Sequence, residues 1–138
     1  MTGRSGRTVL LDTCALLDLS IAPDKIADGA RSDLTDMSSQ LLVSAATAWE
    51  IAIKTRHGKL HGGERLLASW EQNLIDLQAI SLTIDHEDAI LAGGLPWAHR
   101  DPFDRMLVAQ ATRRNLPLAT RDDVIIGSGI VTTIDTRK

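Results

Sequence analysis

The stretch HRDPFDRMLVAQATRRNLPLAT, from His99 to Thr120, carries a helix start, a helical pattern and a strand candidate in direct succession. Asp101 followed by Pro102 reads as an N-cap with proline at the first helical position, where its missing N–H costs nothing. Helical spacing continues over 102–115, and "PLAT" (117–120) is a short apolar run of strand type. The same alternation recurs outward along the chain. "TVLL" (8–11), "LLVS" (41–44), "AISL" (79–82) and "IVTTI" (130–134) are further strand candidates, while 24–37, 45–57, 64–77 and 85–93 carry helical spacing. "HGKLHGG" (57–63) and "GGLPWAHRDP" (93–102) are the loop-like breaks. Strands alternating with helices predict βαβ units, a parallel sheet and helices on both of its faces, which is the α/β class. No repeat, low-complexity tract or linker divides residues 1–138, so a single domain is expected.

The bulk composition narrows the function classes. With 43% hydrophobic residues, a mean hydropathy of −0.03 and 138 residues, the chain can bury a sizeable core and does not have the composition of a disordered protein. The net charge of −3 argues against a passive nucleic-acid coat, which would carry a basic excess. The lone Cys14 rules out an intramolecular disulfide and reads as a small hydrophobe in an apolar run. "MTGRSGR" reads as a basic, flexible leader (1–7), and Asp12 breaks the apolar run that follows too early for a signal peptide or membrane span. A cytoplasmic protein is expected.

In the His99–Thr120 stretch, Asp104 shares its helix face with Leu107, Val108 and Ala111, so it points toward the protein and needs a counter-charge. Ligands of an open parallel sheet bind beyond the carboxyl ends of its strands. Asp12 directly follows "TVLL", and Asp122 lies just past "PLAT". Glu50 shares a largely apolar helix face with Ala46 and Ile53, within two turns of the same edge. Taken singly, Asp12 and Asp122 are adequate turn or cap residues and Glu50 an i, i+4 partner of Lys54. Together, Asp12, Glu50, Asp104 and Asp122 would repel one another unless cations sat among them. Such hard oxygen ligands suit Mg2+ or Mn2+, one or two of which serve phosphodiester hydrolysis.

Other constellations are weaker. His57 and His61 have i, i+4 spacing, but Gly58, Gly62 and Gly63 argue against a helix there and hence against a zinc pair. There is no phosphate-binding glycine motif, no "GxSxG" and no "CxxC". Trp49, Trp70 and Trp97 read as core or interface residues rather than base-stacking platforms, aromatics being only 3% of the chain. Lys54, Arg100, Arg105 and Arg121 are ordinarily a solvated rim; beside a metal site they could hold RNA phosphates.

"LLDTCALL", "LVSAATAWEIAIKTRHGKL", "LPWAHRDPFDRMLVAQA" and "LPLATRDD" resemble, in order and spacing over residues 9 to 134, the PIN-domain family and within it the VapC-type toxins of bacterial toxin–antitoxin pairs. The resemblance implies a three-layer α/β/α fold with a five-stranded parallel sheet and a Mg2+- or Mn2+-dependent endoribonuclease. It also implies a homodimer and a cognate antitoxin that blocks the site. The family's acidic quartet carries over onto Asp12, Glu50, Asp104 and Asp122, with Asp101, Ser44 and Thr120 at supporting positions. Two features depart from the pattern: Asp18 stands where related toxins often have an aromatic residue, and the basic leader is extra. Competing readings are an RNA-binding or regulatory module without cleavage, a nuclease acting on structured DNA, and a phosphatase or phosphotransferase with Asp12 as nucleophile. "DTC" lacks the second nearby acid that the last of these uses.

Overall fold

The computed structural model describes residues 7–138, so the expected leader lies outside the described residues except for Arg7. Five strands form one sheet: β1 (Thr8–Leu11), β2 (Gln40–Ser44), β3 (Ala79–Leu82), β4 (Leu118–Thr120) and β5 (Thr133–Asp135). Their order is β3-β2-β1-β4-β5, and every neighbouring pair is parallel. The helices are α1 (Thr13–Ile21), α2 (Asp28–Thr35), α3 (Ala45–Arg56), α4 (Gly63–Ala68), α5 (Trp70–Asp76), α6 (His86–Gly94), α7 (Pro102–Arg114) and α8 (Asp123–Ser128), with a single 3-10 turn at Pro23–Lys25.

The period of two along the strands sorts the core into two halves. Val9, Leu11, Leu41, Val43 and Ala119 face one cluster with Leu16 of α1, Leu34 of α2, Ile51 of α3 and Leu74 of α5. Leu10 and Leu118 face the other, with Leu107, Val108 and Ala111 of α7 and Ile125 of α8. The sheet is thus covered on both sides, which is why its strands read as continuous apolar runs rather than alternating ones. Right-handed crossovers explain the division. The chain moves from β1 through β2 to β3 in one direction, then returns past β1 to β4 and β5 in the other, so the helices before β3 fall on one face and α7 and α8 on the opposite one. The result is the three-layer α/β/α architecture.

Several boundaries moved. The expected helix at 24–37 shrinks to the 3-10 turn and α2, and the one at 64–77 breaks at Ser69 into α4 and α5. Ser69 returns its hydroxyl to the carbonyl of Arg65, the local bond by which serine competes with helix propagation. Helices α1 and α8 were not expected. The first, TCALLDLSI, is apolar around most of its circumference and so lacks a detectable stripe; the second is too short to show a period. "PLAT" pairs only from Leu118, because Pro117 has no N–H to donate, although its carbonyl accepts from Leu10. "IVTTI" gives way to a strand that begins only at Thr133.

Helices α6 and α7 run as an antiparallel pair tied at both ends. At one end Asp88, fully buried, accepts from Arg113, from Arg114 at 2.9 Å and from Gln110 at 3.1 Å. Burial alone would raise the Asp88 carboxyl, but the guanidinium groups and the Gln110 amide hold it far below the usual carboxylate range. Asp88→Ala strands two arginines and an amide around a small void. It is expected to cost about 2–4 kcal/mol, read as a lower urea midpoint at an unchanged slope.

Candidate functional site

The strand order reverses between β1 and β4, and loops leaving neighbouring strands in opposite directions open a crevice at their carboxyl ends. Asp12 leaves β1 there and N-caps α1, accepting from Ala15 N–H at 2.7 Å. Asp122 follows β4 by two residues and N-caps α8, accepting from Val124 N–H at 2.8 Å. Between them Thr120, fully buried, accepts from Asp122 N–H at 3.0 Å and hydrogen-bonds the Asp12 side chain. Asp104 reaches the same edge from the first turn of α7, whose N-cap Asp101 accepts from Phe103 and Asp104 N–H.

These acids sense one another. Burial pushes Asp12 up to about 6, against the pull of the Thr120 hydroxyl and the Ala15 N–H, and the charges of Asp104 and Asp122 push it further up. Burial likewise raises Asp104 to about 6, against a hydrogen bond from His99, with Asp101 and Asp122 adding repulsion. Glu50 joins the edge through different partners. The residue is 8% exposed, and its carboxylate accepts from the Thr13 hydroxyl at 2.6 Å and pairs with the Lys54 ammonium at 2.9 Å. The i, i+4 pairing with Lys54 and the placement at the edge therefore hold together. Among the described residues, no three His, Cys, Asp or Glu side chains converge on one point, so the acids share an edge rather than a closed cage.

A family model for the PIN domain matches residues 9–126. The chain belongs to the PIN-domain family. Its fold is similar to that of VapBC2 from Rickettsia felis, solved bound to a DNA fragment from their promoter: TM-score 0.66, 13% identity, 94% of this chain and 98% of the other covered. FitAcB from Neisseria gonorrhoeae superposes with a TM-score of 0.61 at 20% identity, over 92% and 96% of the two chains. VapBC-5 from Mycobacterium tuberculosis, a member of the VapBC family of toxin–antitoxin systems, gives 0.60 at 18% identity over 95% and 98%. No curated protein sequence matches the chain.

Within this PIN domain the basic and hydroxyl residues divide by task. Lys54 is engaged with Glu50, and Arg121 lies 3.4 Å from the buried Asp18 carboxylate, which gives that unusual acid its counter-charge. Arg100 is exposed. The guanidinium of Arg105, expected among the phosphate contacts, donates to the carbonyls of Ala92, Gly93, Leu95, Trp97 and His99. Ser44 uses its hydroxyl to cap α3, accepting from Ala46 N–H at 3.0 Å. Trp70 and Trp97 pack against the two halves of the core, whereas Trp49 is 61% exposed and edge-on to Phe103 at 5.2 Å.

Two residues at the site escaped sequence reasoning. Thr13 follows Asp12 directly, but nothing in its position showed that it would meet a helix distant in sequence. His99 opens the stretch quoted above, and its Nε2 lies 2.7 Å from Asp104 Oδ2. The signal available was its spacing of five residues before an acid that needed a partner.

The raised carboxyls have a measurable consequence. Asp12 and Asp104 keep their protons from the ordinary carboxyl value of 3.8 up to about 6 in the folded state, so stability without divalent cations falls as pH rises through that window. Asp12 contributes about 2–3 kcal/mol of this loss, and Asp12→Asn, which still caps α1, removes it. In EDTA the wild-type melting temperature is expected to be several degrees higher at pH 5 than at pH 7. Calorimetry of Asp12→Asn should show a flatter profile and a higher melting point at pH 7.

Proposed function

We propose that this PIN domain is the toxin of a toxin–antitoxin pair, acting as a Mg2+- or Mn2+-dependent endoribonuclease. The supporting observation is the set of Asp12, Asp104 and Asp122, carried by three separate segments to the strand-order reversal, with two of them held at the border of ionisation by burial and mutual repulsion. The donor set fits a divalent cation: hard carboxylate oxygens from three segments, two of the groups raised by burial and by the charge of their acidic neighbours. Asp12, Asp104 and Asp122 would hold it, with Glu50 beside them. When bound, such an ion supplies a Lewis acid that lowers the pKa of an attacking water and offsets charge on the leaving oxygen.

The chain's own groups prepare that chemistry. Asp12 and Asp122 each use carboxylate oxygen on a helix N-terminus, and that fixes the rotamer. Thr120 hydrogen-bonds Asp12 and holds the Asp122 backbone, so the two acids keep their spacing as a unit. Thr13 and Lys54 hold the Glu50 carboxylate aligned. Exposed Arg100 and the rim cations Lys54 and Arg121 offer contacts for RNA phosphates. No side chain is required to form a covalent intermediate.

A cognate antitoxin fits the same edge, because an arginine or lysine from its tail would satisfy the carboxylates in the cation's stead. This reading takes its support from the toxin–antitoxin systems among the structural neighbours. Exposed Ile80 on β3 and Ile90 on α6 support a homodimer. Among the described residues no helix is long and apolar enough to cross a membrane, and we place the activity in the cytoplasm.

The direct test is cleavage of purified RNA and DNA with Mg2+, with Mn2+ and with EDTA. RNA cleavage that stops in EDTA is expected, and Asp104→Asn should lower it by at least about a hundredfold while abolishing the rise in melting temperature on Mn2+ titration. Wild-type-like cleavage by that variant would remove Asp104 from the site, and cleavage restricted to structured DNA would favour the alternative substrate. With the native partner in hand, replacing the basic residue of its tail by alanine should relieve inhibition more than it weakens binding. Unchanged inhibition would overturn the insertion model.

A further inference from the structure

We infer that Arg105 and His99 are positioning residues for Asp104: Arg105 pins the α6–α7 loop through its carbonyls, and His99, carried on that loop, holds the Asp104 carboxylate in its working orientation. The inference rests on the reading of Asp104 as a cation ligand.

The need for such a device begins at the end of α6. That helix stops at Gly94 and its C-cap Leu95 is extended (φ −56°, ψ 130°), so no left-handed turn folds back to satisfy the last carbonyls. From Leu95 to Asp101 the chain has no regular structure to order it. Arg105 supplies the missing donors. Its Nε donates to Ala92 O at 2.9 Å, Nη2 to Leu95 O at 2.8 Å and Gly93 O at 3.4 Å, and Nη1 to Trp97 O at 2.6 Å and His99 O at 3.0 Å. One rigid fork thus binds the end of α6, the loop and the first turn of α7 together, which a lysine's single ammonium could not reproduce.

The carbonyl of His99 is one of those five, and its imidazole is the partner of Asp104. Trp97, packed against the core half that contains Leu10, holds the imidazole by ring contact at 4.8 Å. A carboxylate can only accept, so His99 Nε2 carries the hydrogen directed at Asp104 Oδ2, 2.7 Å away. A comparison within the molecule shows what this contact prevents. Asp88 occupies the same third position in α6 that Asp104 occupies in α7, and it turns back to its own N-cap, Asp85 N–H, at 3.3 Å. Asp104 is instead drawn to His99. With Oδ2 anchored from the loop side, Oδ1 is left as the oxygen available for a ligand, in the manner of outer partners that orient metal-binding carboxylates.

Arg105 therefore acts on Asp104 only through His99, and that ordering can be tested in two independent arms. In metal-free protein, nitrogen-resolved NMR should show a hydrogen-bonded His99 Nε2–H in the wild type. It should be lost in Arg105→Ala and in Arg105→Lys, with circular dichroism showing that these variants remain folded. In the second arm, calorimetric Mn2+ binding should weaken about tenfold or more in His99→Ala, and His99→Gln, whose amide can place a donor near the Nε2 position, should restore most of it. The double variant Arg105→Ala/His99→Ala should bind Mn2+ no more weakly than the weaker single variant, since the two lie on one line of action. Persistence of the His99 signal without Arg105, wild-type Mn2+ affinity in His99→Ala, or losses that simply add would each overturn the proposal. A wild type that binds no Mn2+ would defeat the cation reading itself and with it the positioning of a ligand, whereas the NMR arm would still decide whether Arg105 sets His99.

Discussion

The burial of β1 on both faces is the constraint on which the site depends. Val9 and Leu11 enter one half of the core and Leu10 the other, so no polar side chain can be accommodated from Val9 to Leu11, and the first residue beyond them free of that demand is Asp12. Because β1 is also where the strand order reverses, the first polar position after it opens on the crevice between diverging connections. The same reasoning places Asp122 just after β4, since Leu118, Ala119 and Thr120 are completely buried. Chemistry is confined to the edge because the interior of the sheet excludes it.

At that edge, folding and candidate function use the same atoms. Asp12, Ser44, Asp101 and Asp122 are all helix N-caps, each taking a helix's unsatisfied N–H groups onto a side-chain oxygen. The positive ends of the three among these helices capped by aspartates favour the negative charge placed on them, which offsets part of the repulsion among the acids. This is why asparagine is informative at these positions: it keeps the cap while deleting the charge. The cap reading of Asp12 and Asp122 and the site reading describe two oxygens of one group rather than competing roles.

The α6–α7 pair shows how differently arginine can be used. At its far end Arg113 and Arg114 compensate one buried carboxylate, an electrostatic arrangement that keeps Asp88 ionised. At the near end Arg105 serves neutral carbonyls, replacing backbone hydrogen bonds that an irregular loop could not make for itself. The far end holds the helices together, and the near end fixes where the loop and its imidazole lie relative to the acids.

Much of this was legible in local sequence. The helix start at Asp101-Pro102, the apolar strand runs and the position of Asp12 and Asp122 just after two of them follow from sterics, capping and burial acting over a few residues, and those forces are local. Residues 9–134, read for motif order, led to the same family as the match over 9–126. Helix α1 stayed hidden because a helix buried on most sides has no polar face to reveal its period, and Ser69 divided a helix whose spacing looked continuous. Arg105 read as a rim cation because sequence records its charge and not its partners. The union of Thr13 with Glu50 and of His99 with Asp104, and the rise of two carboxyls to about 6, were decided only in three dimensions. The sequence by itself determined which acids would stand at strand and helix ends, because backbone sterics and capping act within a turn. Tertiary structure alone decided which of them share a field and who holds them, because desolvation and Coulomb interaction depend on distances that only packing sets.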